Sequence, residues 1–269
     1  MVFVIKVSFL LILTSLTQHT FADEKMIDEL VDISGIEKQT LAMREVLNQQ
    51  FKARESADNL SKDELDNLKT IFMGSFDEKA ILKNTKSGLL KGLTEEEIKE
   101  VIDLHKTPLF IKTTRLEEEA SSAEGIKNLQ VFAQKINEAP PTEERIKLVQ
   151  KFDYNLKISE INSRIVFEFT KVFMEAFEGR KFTDEESGQL LKILATQMTQ
   201  VIYLQLFYTY KDLTDKEFGK YVDTYLTRSS LKKVNDVVSD NISKGLVEWA
   251  KRVGKKSKTL IKEKIQEEI

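Results

Sequence analysis

Apolar residues return every three or four positions along almost the whole chain, the spacing that puts side chains on one face of an α-helix. Ile36, Thr40, Met43, Leu47 and Phe51 form one such stripe. Leu65, Leu68, Phe72 and Phe76 form a second, broadened by Ile71, and Ile98, Val101 and Ile102 a third. Leu116, Ala120, Ala123, Ile126 and Leu129 read as one further helix. Beyond the midpoint, Ile158, Ile161, Ile165, Phe169, Phe173 and Phe177 make the longest stripe. It is followed by Leu190, Leu194, Met198 and Val201 with a Tyr203, Phe207, Tyr210 series, then by Leu231, Val234, Val238, Ile242, Leu246 and Trp249. No two-residue alternation bounded by turn residues is present, and three prolines and ten glycines leave little punctuation for a sheet. The pattern predicts an all-α fold.

Helix starts are marked by hydroxyl residues with a glutamate three positions later: Ser61 with Glu64, Thr94 with Glu97, Thr183 with Glu186, and Thr214 with Glu217. Each pair can satisfy two free amides of a first helical turn reciprocally. These starts are paired. Residues 93–107, LTEEEIKEVIDLHKT, are echoed by residues 213–227, LTDKEFGKYVDTYLT, and SKDELDNLKTIF from Ser61 resembles TDEESGQLLKIL from Thr183. Pro140 and Pro141 stop any helix between the copies. The expected organisation is two tandem helical-bundle halves related by internal duplication, 23–139 and 140–253, with a charged C-terminal helical tail over 254–269.

The first 22 residues have the make-up of a cleaved secretory signal: Lys6, an apolar stretch from Val7 to Leu16, then Thr20-Phe21-Ala22 before the charged Asp23. The mature chain would hold 247 residues, and loss of Lys6 takes its net charge from −3 to −4. Such a balance does not suit a nucleic-acid partner, and the absence of cysteine excludes disulfides and thiolate chemistry. The expected compartment is periplasmic or secreted.

The LT-x-x-E helix starts, followed by Leu104-His105-Lys106-Thr107-Pro108 in one half and Thr224-Tyr225-Leu226-Thr227-Arg228 in the other, resemble the signature of the DUF2059 domain family. In that family LT-x-x-E leads into an F-Y-x-S-P-x-G segment and a long final helix. Here proline is kept only in the first copy, and Phe110 and Ser230 replace the glycine. The resemblance implies a secreted or periplasmic bacterial helical protein. It implies no catalytic residue, because the family has no assigned activity.

Candidate chemistry is sparse. His19 leaves with the signal, so His105 is the sole histidine of the mature chain, and it occupies the place of Tyr225 in the other copy. That favours packing over proton transfer. No two-histidine zinc motif, G-x-S-x-G elbow, phosphate-binding glycine loop or calcium loop occurs, and neither metal nor cofactor is implied. Glu95–Glu97 and Glu117–Glu119 read as solvated or helix-start acids rather than as a facing hydrolytic pair. Phe169, Phe173, Phe177, Tyr203, Phe207 and Tyr210 read first as core, and second as a lining for an apolar ligand such as an acyl chain. Trp249 followed by Lys251, Arg252, Lys255, Lys256 and Lys258 reads first as a solvated helix end, and second as a contact to an anionic membrane surface. The expected function is therefore non-enzymatic binding of an envelope protein or apolar ligand. The alternative is an envelope hydrolase using acidic residues with His105 as an auxiliary group. A secreted effector is not separable from the first reading.

Overall fold

The computed structural model describes residues 23–54 and 62–267. Among them the chain is all-α. The helices are α1 (Glu24–Ile33), α2 (Ile36–Arg54), α3 (Lys62–Met73), α4 (Glu78–Gly92), α5 (Glu95–His105) and α6 (Pro108–Ser121). They continue with α7 (Ala123–Lys135), α8 (Glu143–Leu156), α9 (Ile158–Glu178), α10 (Asp184–Thr209), α11 (Asp215–Thr227) and α12 (Ser229–Glu267). The expected signal segment and the Ser61 cap lie outside the described residues.

Three of the anticipated caps are complete capping boxes. Thr94 accepts from Glu97 N and Glu97 returns to Thr94 N, and the same exchange joins Thr183 to Glu186 and Thr214 to Glu217. The matched motifs also bury matched positions. Ile98, Val101 and Ile102 in α5, and Phe218, Tyr221 and Val222 in α11, are all buried.

Two boundaries differ from expectation. The stripe from Leu116 to Leu129 is broken at Ser122, whose hydroxyl accepts from Gly125 N and donates to Glu119 O, ending α6 and capping α7 with one side chain. In addition, the segment 78–92, which has no long apolar stripe, forms α4. Asp77 caps it, and Ile81, Thr85 and Leu89 are buried at four-residue spacing. Pro140 and Pro141 fall in the non-helical stretch between α7 and α8, whereas residue 254 falls inside the unbroken α12.

Helix α1 packs on α2, α4 and α5, and α8 packs on α9, α10 and α11. Helix α12 crosses back onto α3, α4 and α5, while α6 crosses forward onto α10 and α11. The larger core accordingly draws on both halves, with Leu30, Leu89, Ile98, Phe110, Val149, Phe218 and Leu231 in one cluster. A second cluster gathers Phe76, Ile81, Trp249 and Val253, with Phe72, Phe169 and Phe173 against it. Helix α12 serves both: its start joins the first cluster and its middle the second.

Candidate functional site

Helix α6 presents an inward face that is not wholly apolar. Phe110, Thr113, Thr114 and Leu116 are buried on it, and one turn beyond Thr113 comes Glu117. Glu117 Oε1 accepts hydrogen bonds from both Tyr210 Oη and Tyr221 Oη, each at 2.6 Å. Tyr210 ends α10, and Tyr221 lies on α11, one turn before Tyr225. Around them the rings of Phe110, Phe152 and Phe218 stack or meet edge to face, with centroids 4.8–6.0 Å apart.

Arg145 of α8 holds the turn that delivers Tyr210. Its guanidinium donates to Asp215 Oδ1 (2.7 Å), Tyr210 O (2.7 Å) and Leu213 O (2.5 Å), and it lies over the Phe218 ring. A planar fork with several fixed donors suits this task, which an ammonium could not reproduce. Burial disfavours charge on the Glu117 carboxyl and raises its pKa, against the pull of the two tyrosine donors. Burial, and then the neighbouring carboxylate, push Tyr210 and Tyr221 well above the usual phenol range, so both hydroxyls stay protonated as donors.

Glu117 also borders a cleft of about 200 Å³. Gln39, Asn162, Gln205 and Thr209 supply its polar wall, and Ile202 and Leu206 its apolar one. The sequence reading placed Glu117 with its neighbours on a polar surface. That holds for Glu118, which pairs with Lys38 (3.1 Å), and for the exposed Glu119, but Glu117 turns inward. The available signal was its place one turn from Thr113 and Thr114.

The aromatic residues singled out from sequence do not gather round one cavity. Phe169 and Phe173 pack in the second cluster, where Phe169 lies 5.2 Å from Trp249 and Phe173 lies 6.2 Å from Phe72. Phe177 stacks on Phe173 at 5.9 Å. Tyr203, Phe207 and Tyr210 belong to the first cluster, and of the six Tyr210 borders the cleft.

Trp249 is likewise a core residue rather than a surface anchor. It is 5% exposed, and its indole N–H donates to Phe72 O. The cations behind it lie outward: Lys251, Arg252, Lys255 and Lys256 are exposed. Arg252 nonetheless donates to Ser75 O, and Lys258 Nζ donates to Glu178 O at the end of α9.

His105 is buried, with Nδ1 2.8 Å from Val101 O and its ring edge-on to Phe110 at 5.1 Å. Burial lowers its pKa, so the imidazole is held neutral. Among the described residues no group of histidine, aspartate and glutamate side chains has the arrangement of a metal site.

A second surface has a distinct character. Helix α10 is long and apolar enough to cross a membrane, yet only 11% of its most apolar window is buried. Residues 190–207 carry a single charged side chain, Lys192, in a chain that is 32% charged. Leu191, Ile193 and Val201 are 42%, 55% and 49% exposed.

No protein-family model matches this chain, and no curated protein or solved structure matches it either.

Proposed function

We propose that this chain is an exported, non-enzymatic binding protein of the bacterial envelope that seats one end of its bundle on an anionic membrane surface. The observation carrying this reading is the exposed apolar face of α10, because soluble proteins seldom leave such a surface uncovered. Charge supplies the choice of occupant. The α9–α10 turn, which starts α10, sits against the middle of α12, where Gly254 faces Phe173 O and Ala176 and Lys258 reaches Glu178 O. There Lys251, Lys255 and Lys256 are exposed while Lys181 pairs with Glu175 (3.2 Å), and α12 carries no acid between Trp249 and Leu260. Apolar side chains on a helix that starts near exposed lysines complement acyl chains beneath anionic headgroups.

Export is supported by the composition of residues 1–22, and envelope residence by the resemblance to DUF2059 proteins. Descent of the two halves from one duplicated unit is supported by the shared motifs and by the recurring order in which α1 and α8 meet their neighbours. Glu118 pairs with Lys38 and Glu119 faces solvent, so neither stands across the cleft from Glu117 in the way a paired-carboxylate hydrolase uses two acids.

Sedimentation with vesicles tests the reading. The protein should pellet with phosphatidylglycerol-containing vesicles and stay in solution with phosphatidylcholine alone. Ile193→Asp should reduce pelleting at all salt concentrations, and joint replacement of Lys251, Lys255 and Lys256 by Glu should remove its salt-sensitive part. Equal pelleting of wild type and variants would reject the surface. A dimer in solution that Ile193→Asp dissolves would assign the face to a second copy instead.

A further inference from the structure

The cleft beside Glu117 opens at the C-terminal end of α10, one turn beyond Val201, and has chemistry of its own. Both tyrosine hydroxyls fall on Oε1, while Oε2 receives no hydrogen bond from the described residues and is not sealed from solvent. No lysine or arginine lines the cleft, so the carboxylate has no protein counter-charge there. An interior carboxyl without a cation is disposed to keep its proton, and an ammonium brought by a ligand would favour its ionised form. The remaining wall combines the amides of Gln39 and Gln205, which can offer carbonyl oxygens, with the side chains of Ile202 and Leu206. The cleft measures about 200 Å³. That is the size of a small molecule, not of a peptide segment.

We propose that this cleft binds a small organic amine. The ammonium is held by Glu117 Oε2, and a short alkyl chain lies on Ile202 and Leu206. Tyr210 and Tyr221 are positioning residues, fixing the carboxyl by its other oxygen. Amino acids and other ligands carrying a carboxylate are disfavoured, because the lining has no cation to receive it. Neutral alcohols of the same length lack the charge that the site is built to meet.

Isothermal titration of the purified protein with butane-1,4-diamine, with butan-1-ol as the uncharged control, tests the assignment. Saturable binding of the diamine and none of the alcohol is expected. Glu117→Gln keeps an acceptor for both tyrosines and should weaken diamine binding by about tenfold or more. Gln205→Trp, which fills the cleft from its exposed rim and leaves Glu117 untouched, should weaken it as well. If circular dichroism shows Glu117→Gln to be unfolded, Gln205→Trp decides alone. Absence of saturable heat up to about 10 mM diamine, or equal affinity in the folded variants, would overturn the proposal. Neither result bears on vesicle binding, so the two readings stand or fall apart.

Discussion

Glu117 and His105 are ionisable groups that burial pushes in opposite chemical directions, and each leaves a signature in stability against pH. Glu117 is faced by Tyr210, Tyr221 and Tyr225, with Glu118 beside it, and its pKa is raised in the folded protein. The native state therefore holds the proton more tightly than the unfolded chain. Its stabilising contribution is present below the ordinary carboxylate value of 4.5 and is lost as pH rises through the folded pKa. Glu117→Gln should then exceed the parent in stability at pH 8 by roughly 1–3 kcal/mol and converge with it near pH 4, in urea melts. His105 behaves in the reverse sense. Its folded pKa lies below 6.5, so its contribution is present above that value and lost as pH falls through the depressed one. His105→Phe should flatten that acid limb while keeping the ring contact with Phe110.

At the scale of elements, the boxes at Thr94 and Thr214 and the close approaches of helices make separate demands. Replacing either threonine by alanine removes one amide's partner and should cost about 1 kcal/mol in a denaturant titration. Two helical glycines give a sharper comparison. At Gly254 in α12 a Cβ would lie 2.6 Å from Phe173 O and 2.8 Å from Ala176 Cβ, so α9 and α12 would have to part. At Gly188 in α10 a Cβ would meet no atom within 4 Å beyond its own helix backbone. Alanine should therefore destabilise at 254 despite its better helix propensity, and stabilise by about 0.5–1 kcal/mol at 188. Equal effects in thermal melts would contradict the packing of α12 on α9.

For the whole molecule, the decisive point is that one core is assembled from both halves, with α12 crossing onto α4 and α6 onto α10. Fragments 23–139 and 140–269 should each fail to fold alone, because each would expose the surface that the other half covers. Sedimentation and circular dichroism of the separate fragments check this; two fragments that each melt cooperatively would refute it. The intact chain should unfold in one transition despite its length.

Helical class, three capping boxes and the likeness of residues 93–107 to 213–227 are readable because they depend on residues close together along the chain. Periodicity names the apolar face of a helix, and a hydroxyl three residues before a glutamate names its start. Neither depends on what lies opposite. Helix α4 leaves little trace in the sequence because its buried face is narrow and includes Thr85, and the break at Ser122 leaves none because apolar spacing runs on across it. Glu117, Glu118 and Glu119 are identical on paper. Only the arrival of α10 and α11 beside α6 sets the first against two tyrosines, while Glu118 pairs with Lys38 and Glu119 stays exposed. Trp249 was drawn to the surface by the cations after it, but the groove between α3 and α9 claims it. Local rules settle which segments coil, since helix formation is decided within a turn or two. Partners distant in the chain settle which side chains are buried, charged or exposed, since solvation depends on every helix that packs around them.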